Sequence, residues 1–447
     1  MTSHYTFDRT IELLNELYHR PIKPASEARL ERIGHLLHQL GNPHRSFRSV
    51  HIAGSFGKGS TTSMIGSILQ ASDFRTGYFR SPHLHDYRER IAVDGEDIDA
   101  ESWTRCFERV WPIAEEMQNN RTLENVHGRP ALFEILFALM SVYFHQVGVE
   151  WAAVETGLGG RLDATNTLES DVAVVTNVSL EHTQILGSTV GEIAAEKAAI
   201  IKRGSHAVTA AEDPEALRVI TERAQVVGAP LLTIGVDVHV DIRSEWIAGQ
   251  KISLEGAGAK LDVTLPLAAP FQSTNAATAF GAALALRDRG VNVSDGAVVH
   301  GLSTVKVPGR FELISRDPLV ILDGAHNVAA VRQLRTAIER LIPDRRRVLL
   351  FASMNDKDIR GMATEIGSLV DQAVITRPPG TDRAASPLDI ASAFERWVPQ
   401  IETEDNPDRA LALALRTAGT DSAVIVTGSL YLVGHVRHAL AAGQVTL

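Results

Sequence analysis

Apolar residues recur at three- and four-residue steps over the first 46 positions: Ile11, Leu13, Leu14 and Leu17, then Leu30, Ile33, Leu36, Leu37 and Leu40. That spacing predicts amphipathic helices, stopped by Gly41-Asn42-Pro43. The pattern then changes: Ser49 to Ala53 reads as a short strand, a glycine-rich stretch follows, and Thr61 to Ala71 reads as a helix. Leu132 to Phe144 (LFEILFALMSVYF) is too short for a membrane span and carries Glu134, so it predicts a buried helix. Trp151 to Glu155 and Asp171 to Val178 are nearly continuous apolar runs, as strands of a parallel sheet covered on both faces should be. Thr189 to Lys202 reads as a helix opened by a capping box of Thr189 with Glu192. From Ala207 to Leu267 the segments shorten and alternate, which predicts strands on the edge of the same domain, and Asn275 to Arg289 is an alanine-rich helix.

A second alternation begins after Gly290 to Pro308. Strand Leu319 to Leu322 precedes helix Val328 to Leu341, whose Val331, Leu334, Ile338 and Leu341 share one face. Strands follow at Val348 to Ala352, Gln372 to Thr376 and Ala423 to Thr427. The whole chain thus reads as α/β. Its 447 residues exceed one ordinary core, and the expected division is 1–295, a linker over 296–308, and 309–447.

Composition narrows the partners. The formal charge is −10 with no long basic run, which argues against nucleic acid or an anionic membrane as the main partner. The single cysteine, Cys106, excludes an intramolecular disulfide and a cysteine metal cluster, and it fits a reducing cytoplasm. The first residues hold no apolar signal core, so a cytoplasmic location is expected.

Candidate chemistry starts in His51 to Thr62, HIAGSFGKGSTT. A standard phosphate loop reads G-x-x-x-x-G-K-[ST]; here Lys58 is followed by Gly59, and the hydroxyl comes at Ser60. Gly54, Gly57 and Gly59 allow backbone N–H groups to turn inward on a phosphate. Lys58 supplies a point charge and Ser60 a hydroxyl at the helix start. The plain alternative is a tight strand-to-helix turn, and the lysine and hydroxyl favour phosphate.

Glu155 ends an apolar strand and opens ETGLGGRLDATN (Glu155 to Asn166). Ligands of α/β sheets gather at that strand end, and beside a triphosphate a carboxylate there suits Mg²⁺; a local backbone cap is the alternative. Glu181-His182-Thr183 follows the next strand, which favours a metal ligand over a surface histidine. Ser81-Pro82-His83-Leu84 with Arg88-Glu89-Arg90 fits a site or a polar turn equally. Glu196-Lys197 reads either as an exposed charge pair or as a partly buried, reactive lysine among small and apolar neighbours. In the second unit Pro308-Gly309-Arg310 and Asp323-Gly-Ala-His-Asn327 favour nucleotide and phosphate contacts in a cleft between the domains over a linker turn and a helix cap.

Together these segments resemble the folylpolyglutamate synthase and dihydrofolate synthase family of the Mur ligases, whose loop has the form G-[TS]-x-G-K-G-[ST]. SPHL with ERI, ETGLGGRLDATN, EHT with EKAAIIK, PGRFE with LDGAHN, GSLYLVG and Gln272…Asn275-Ala-Ala carry the likeness over about residues 28 to 437. The resemblance implies an N-terminal P-loop ATPase domain with a mostly parallel sheet and a smaller C-terminal Rossmann-like α/β domain. It implies a ligase that phosphorylates a folate-type carboxylate with ATP and lets L-glutamate attack the acyl phosphate.

Under that resemblance ATP lies on Gly57, Lys58, Gly59 and Ser60, with Asn275, Arg310 and Asp323. Two Mg²⁺ sites draw on Ser81, Glu155, His182 and a carbamylated Lys197. Lys58, Glu155, His182, Lys197 and His326 are the catalytic set, with His326 helping to bind phosphate or glutamate. Leu162, Asp163 and Ala164 contact the acceptor, a reduced folate or dihydropteroate, and the protein is expected to be a monomer. Two positions depart from the pattern: Phe56 stands where many relatives carry Asn or Lys, and Ala131 replaces a threonine lining the pterin site. The competing readings are a Mur-type ligase with another carboxylate acceptor, a P-loop NTPase switch or motor without ligase activity, and a non-catalytic nucleotide binder.

Overall fold

The computed structural model describes residues 5–18, 28–120, 122, 128–420 and 422–445. The helical expectation for residues 1–4 and 19–27 lies outside them. Two compact units emerge: Met1–Asp241 with Ser253–Val263 and Thr274–Val305, and Ile242–Ile252 with Thr264–Ser273 and Lys306–Leu447. Each is described by itself.

The first unit is built on β1 (Arg48–Ala53), β2 (Thr76–Phe79), β3 (Ile91–Val93), β4 (Glu96–Asp97), β5 (Trp151–Glu155), β6 (Val172–Val175), β7 (His206–Thr209) and β8 (Leu231–Thr233). They form one sheet in the order β4-β3-β2-β5-β1-β6-β7-β8. β2, β5, β1, β6, β7 and β8 run parallel, and the β2-β3-β4 edge is antiparallel. β1, at the centre, pairs Ile52 with Glu155 and Ala53 with Val175, so the chain leaves three neighbouring strands at one edge.

Apolar strands demand cover on both faces. One face meets helices Phe7–Tyr18, Ala28–Gln39, Ala100–Asn119 and Leu132–Val147, around buried Trp103, Phe107, Phe137 and Phe144. Val190–Ala198 and Pro214–Val227 continue over the same face at β1, β6 and β7, around Ile193, Ile201 and Ile220. The opposite face meets Lys58–Ala71, with Gly66 against Tyr78, and Phe271–Asp288, with Gly281 against Val208. Leu132–Val147 is buried almost all round, as its composition requires. Thr189 and Glu192 form the expected capping box, but the helix ends at Ala198 rather than Lys202.

Two expectations change. The alternating segments after Ala207 are not all on the first sheet: β9 (Val238–Trp246), β10 (Gly249–Gly256) and β11 (Ala259–Leu265) make their own three-stranded sheet. Alternation reports one covered face, and it does not say which sheet the strand joins. The stretch expected as a linker contains helix Asp295–Thr304, capped by Ser294. It packs on helix Lys58–Ala71, where Ser67 Oγ donates to the Gly301 carbonyl at 2.8 Å. A Cβ at Gly301 would stand 2.7 Å from the Ile68 backbone, so contact depends on a residue with no side chain to register in an apolar pattern.

The second unit carries β12 (Glu312–Arg316), β13 (Leu319–Leu322), β14 (Arg346–Phe351), β15 (Gln372–Ile375), β16 (Gln400–Thr403) and β17 (Ser422–Thr427) in the order β12-β13-β17-β14-β15-β16. Only β12 is antiparallel. Helix Val328–Leu341 buries Val331, Leu334 and Ile338 against this sheet.

Candidate functional site

The glycine loop leaves β1 and enters helix Lys58–Ala71. Gly57 has φ of 82°, and a Cβ there would lie 2.5 Å from Asn275 Oδ1, so only glycine fits both backbone and neighbour. The same contact brings Asn275, from helix Phe271–Asp288, onto the loop. The segment after β6 holds the other side: Ser55 N donates to the Asn177 carbonyl at 2.9 Å, and Thr176 Oγ1 to the Phe56 carbonyl at 2.7 Å. Lys58 Nζ donates to the Gly54 carbonyl at 2.8 Å, and Ser60 is buried in the first turn of the helix.

The register of β1 with β5 puts Glu155 beside this loop. Glu155 is 3% exposed, Oε2 accepts from Ser81 N at 3.0 Å, and a Cβ on Gly59 would lie 3.5 Å from Oε2. Ser81 is delivered by the turn after β2, which Glu89 holds by accepting from the backbone N–H groups of Leu84, His85 and Asp86. Burial would raise the Glu89 pKa, but the His85 side chain and these amides hold it down to about 2.

After β6, His182 adopts the left-handed region with φ of 45° and caps the short helix Thr183–Leu186. Glu181, beside it, accepts from Lys197 Nζ at 2.6 Å. Lys197 is 1% exposed; burial, opposed by Glu181 and helped by the charge of Lys58, brings its pKa down to about 8. Glu196 turns the other way and accepts from Arg161 at 2.8 Å, so Glu196 and Lys197 are not an exposed pair on one solvated face. Helical neighbours one apart diverge by about 100°.

Leu162, Asp163 and Ala164 are all buried in the turn that follows Glu155. Asp163 Oδ2 accepts from Gly157 N and Leu158 N, and Oδ1 from the amide and hydroxyl of Thr165. Those donors fill the carboxylate's usual acceptor sites, so a ligand would meet this stretch mainly through its backbone and its neighbours.

The first unit therefore gathers Gly57, Lys58, Gly59, Ser60, Ser81, Glu155 and Asn275, with Lys197 within the field of Lys58. Arg310, Asp323 and His326 form a separate group in the second unit. Asp323 accepts from Phe311 N and Ala325 N, each at 2.8 Å; burial raises its pKa while Arg310 and these amides oppose the rise. Arg310 lies on Gly324, where a Cβ would stand 2.2 Å from the guanidinium. His326 Nδ1 donates to the Gly324 carbonyl at 2.8 Å, an assignment that follows because a carbonyl only accepts.

Among the described residues no three His, Cys, Asp or Glu side chains converge. The donors near the loop are oxygens instead. Besides Glu155, the hydroxyls of Thr61 and Thr156 are buried without a hydrogen-bond partner. A carboxylate with hydroxyls fits a small hard cation such as Mg²⁺, which keeps waters and phosphate oxygens as its remaining ligands. Glu181 escapes sequence reasoning as a functional group: it lies sixteen positions from Lys197, and no local pattern links them. Among the described residues no helix is long and apolar enough to cross a membrane.

Residues 52–283 match the Mur ligase middle domain and residues 309–430 the Mur ligase glutamate ligase domain. The dihydrofolate synthase/folylpolyglutamate synthase of Bacillus subtilis is 33% identical over 426 residues, 94% of this chain and 97% of that protein. A probable bifunctional folylpolyglutamate synthase/dihydropteroate synthase of Haloferax volcanii is 36% identical over 442 residues; the chain spans 50% of its length. The Mycobacterium tuberculosis folylpolyglutamate synthase complexed with ADP superposes with a TM-score of 0.88 at 30% identity, covering 97% of each chain. Loop, strand-end carboxylate and two α/β units thus coincide with these matches across nearly the whole sequence, and the chain belongs to the folylpolyglutamate synthase/dihydrofolate synthase family of the Mur ligases.

Proposed function

We propose that this protein is an ATP- and Mg²⁺-dependent ligase joining L-glutamate to the carboxylate of a folate-type acceptor, tetrahydrofolate or dihydropteroate. The observation that carries the reading is the placement of buried Glu155 beside Gly59, at the mouth of a phosphate-type loop. ADP in the M. tuberculosis relative supports a nucleotide on that loop.

The loop amides and Lys58 hold the β- and γ-phosphates, and Ser60 adds a hydroxyl at the positive end of its helix. Asn275 lines the same loop. The acceptor carboxylate attacks the γ-phosphorus, ADP leaves, and the glutamate amine then displaces phosphate from the acyl phosphate. Positioning and charge neutralisation are the chain's main contributions. Ser81, Glu155 and His182 would hold Mg²⁺, which when bound neutralises phosphate oxygens. Leu162 to Ala164 line the acceptor, and Arg310, Asp323 and His326 serve nucleotide, phosphate and incoming glutamate. Nδ1 of His326 donates to the Gly324 carbonyl, which fixes the ring beside this turn.

Lys197 is the candidate for carbamylation: its neutral amine adds to CO₂ and releases a proton, becoming a carboxylate and so a ligand for a second Mg²⁺. A pKa near 8 makes the neutral amine accessible.

The test is phosphate release with ATP, Mg²⁺ and L-glutamate against dihydropteroate, tetrahydrofolate and no acceptor, with mass detection of the adduct. Release coupled to an adduct on either pterin is expected. ATP binding without turnover on both sinks the folate acceptor, and glutamate-independent hydrolysis would favour an NTPase.

A further inference from the structure

His51 sits three residues before the glycine loop, in the centre of β1, and is 0% exposed. A buried imidazole is an expensive way to fill a core, where a leucine would need no partner. Its Nε2 lies 2.7 Å from Thr165 Oγ1, and that hydroxyl is bonded to Asp163 Oδ1. Asp163 Oδ2 then receives the amides of Gly157, at 3.0 Å, and Leu158, at 2.9 Å. A continuous buried chain therefore runs from the strand feeding the nucleotide loop to the turn that follows Glu155.

The protons along it can be assigned. Three backbone amides point at Asp163, which makes it the acceptor, so the single hydroxyl proton of Thr165 goes to its carboxylate. Thr165 Oγ1 is left to accept, and His51 must donate through Nε2–H. Nδ1 is then an unprotonated nitrogen, buried without a hydrogen-bond partner. Burial pushes the imidazole pKa down to about 3, which keeps the ring neutral, and the Thr165 acceptor fixes the tautomer. An unsatisfied nitrogen left in the core costs stability. Gly157, in the turn that follows Glu155, lies against the Phe133 ring, where a Cβ would come within 2.8 Å.

We propose that His51 is a positioning residue: through Thr165 and Asp163 it sets the turn 156–160, and with it the acceptor-binding face at Leu162 to Ala164. The acceptor half of this statement rests on the function proposed above; the mechanical half does not.

His51→Leu removes the donor, Thr165→Val removes the relay, and His51→Gln restores an N–H near the Nε2 position. Hydrogen exchange measured on peptides spanning 156–160 reads the turn directly, with β14 peptides as the control. Steady-state kinetics read the acceptor KM and the ATP KM. Faster exchange at 156–160 is expected in His51→Leu and Thr165→Val, with about a tenfold rise in acceptor KM, an ATP KM within about twofold, and recovery in His51→Gln. The double variant should be no worse than either single one.

A fall in kcat alone, with exchange and acceptor KM unchanged, would mean only less folded enzyme and overturns the proposal. Equal rises in both KM values also overturn it. If His51→Leu does not fold, Thr165→Val, which conserves volume at a second point of the chain, decides by the same readings. Should the unaltered protein glutamylate no pterin, the proposed function fails on that arm, while exchange still decides whether His51 holds the turn.

Discussion

Glu155 and Asp323 occupy matching places in the two units. Each lies at the carboxyl end of a parallel strand, β5 or β13, and each is buried, at 3% and 5% exposure. Their surroundings differ. Asp323 is bound on both oxygens by backbone amides, from Phe311 on the incoming segment and Ala325 on the outgoing one, so its charge ties two pieces of chain together. Glu155 faces the glycine loop, with Oε2 against Gly59 and the Ser81 amide. The Asp323 carboxylate joins two stretches of backbone, and the Glu155 carboxylate lies against the glycine loop, where the proposed function gives it a ligand. The same strand-end position therefore does not by itself identify a reactive group; the donors around it do.

The largest expected effect tests the loop that Glu155 faces. Gly57→Ala drives a Cβ into Asn275 at a backbone angle that disfavours side chains, and should lower turnover by at least about 100-fold with weakened ATP binding in calorimetry. ATP affinity at the level of the unaltered protein would remove the loop from the site.

Glu155→Ala comes next, with turnover down by roughly 10²–10³ while nucleotide affinity changes by less than about tenfold. Thermal unfolding should show little loss of stability, because groups presented to ligands seldom hold the fold together. Asp323→Asn should do the reverse in the unfolding experiment. Asparagine keeps an acceptor for one amide and turns an N–H toward the other, costing about 1–3 kcal/mol of stability, read from the shift in denaturant midpoint. If the asparagine variant is as stable as its parent while Glu155→Ala is destabilised, the contrast between the two carboxylates collapses.

The smallest effect is the pH response of Lys197. With a pKa brought down to about 8, its neutral fraction grows as pH climbs through that value. In CO₂-free buffer, added bicarbonate should raise turnover more at pH 8.5 than at pH 6.5, by about two- to fivefold. Intact mass should gain one carboxyl group. No bicarbonate response in Lys197 at either pH, with an unmodified mass, leaves the lysine as the partner of Glu181 and nothing more.

Local regularities were legible along the chain. Trp151–Glu155, Leu319–Leu322 and Val328–Leu341 take the bounds that periodicity predicts, and the capping box at Thr189 forms, because each depends on neighbours within one strand or one helix turn. The strand–loop–helix order around Lys58 was likewise readable, since a phosphate loop is a continuous segment. Pattern reading found the strands of β9 to β11 but not that they form a sheet of their own. The rest of what it missed is non-local: the packing of the helix in the expected linker, the Glu181–Lys197 pair and the buried run from His51 to Leu158. Each joins residues far apart in sequence, or rests on a glycine that lets two backbones touch.

Sequence order thus specified which segments became strands and helices and which short stretches could carry phosphate chemistry, because hydrophobic period and turn residues act locally. Which carboxylate meets the glycine loop, and which histidine is locked out of titration, was decided only when β1 came to lie between β5 and β6. That pairing placed Ile52 against Glu155, and burial together with fixed donors then gave each ionisable group its role.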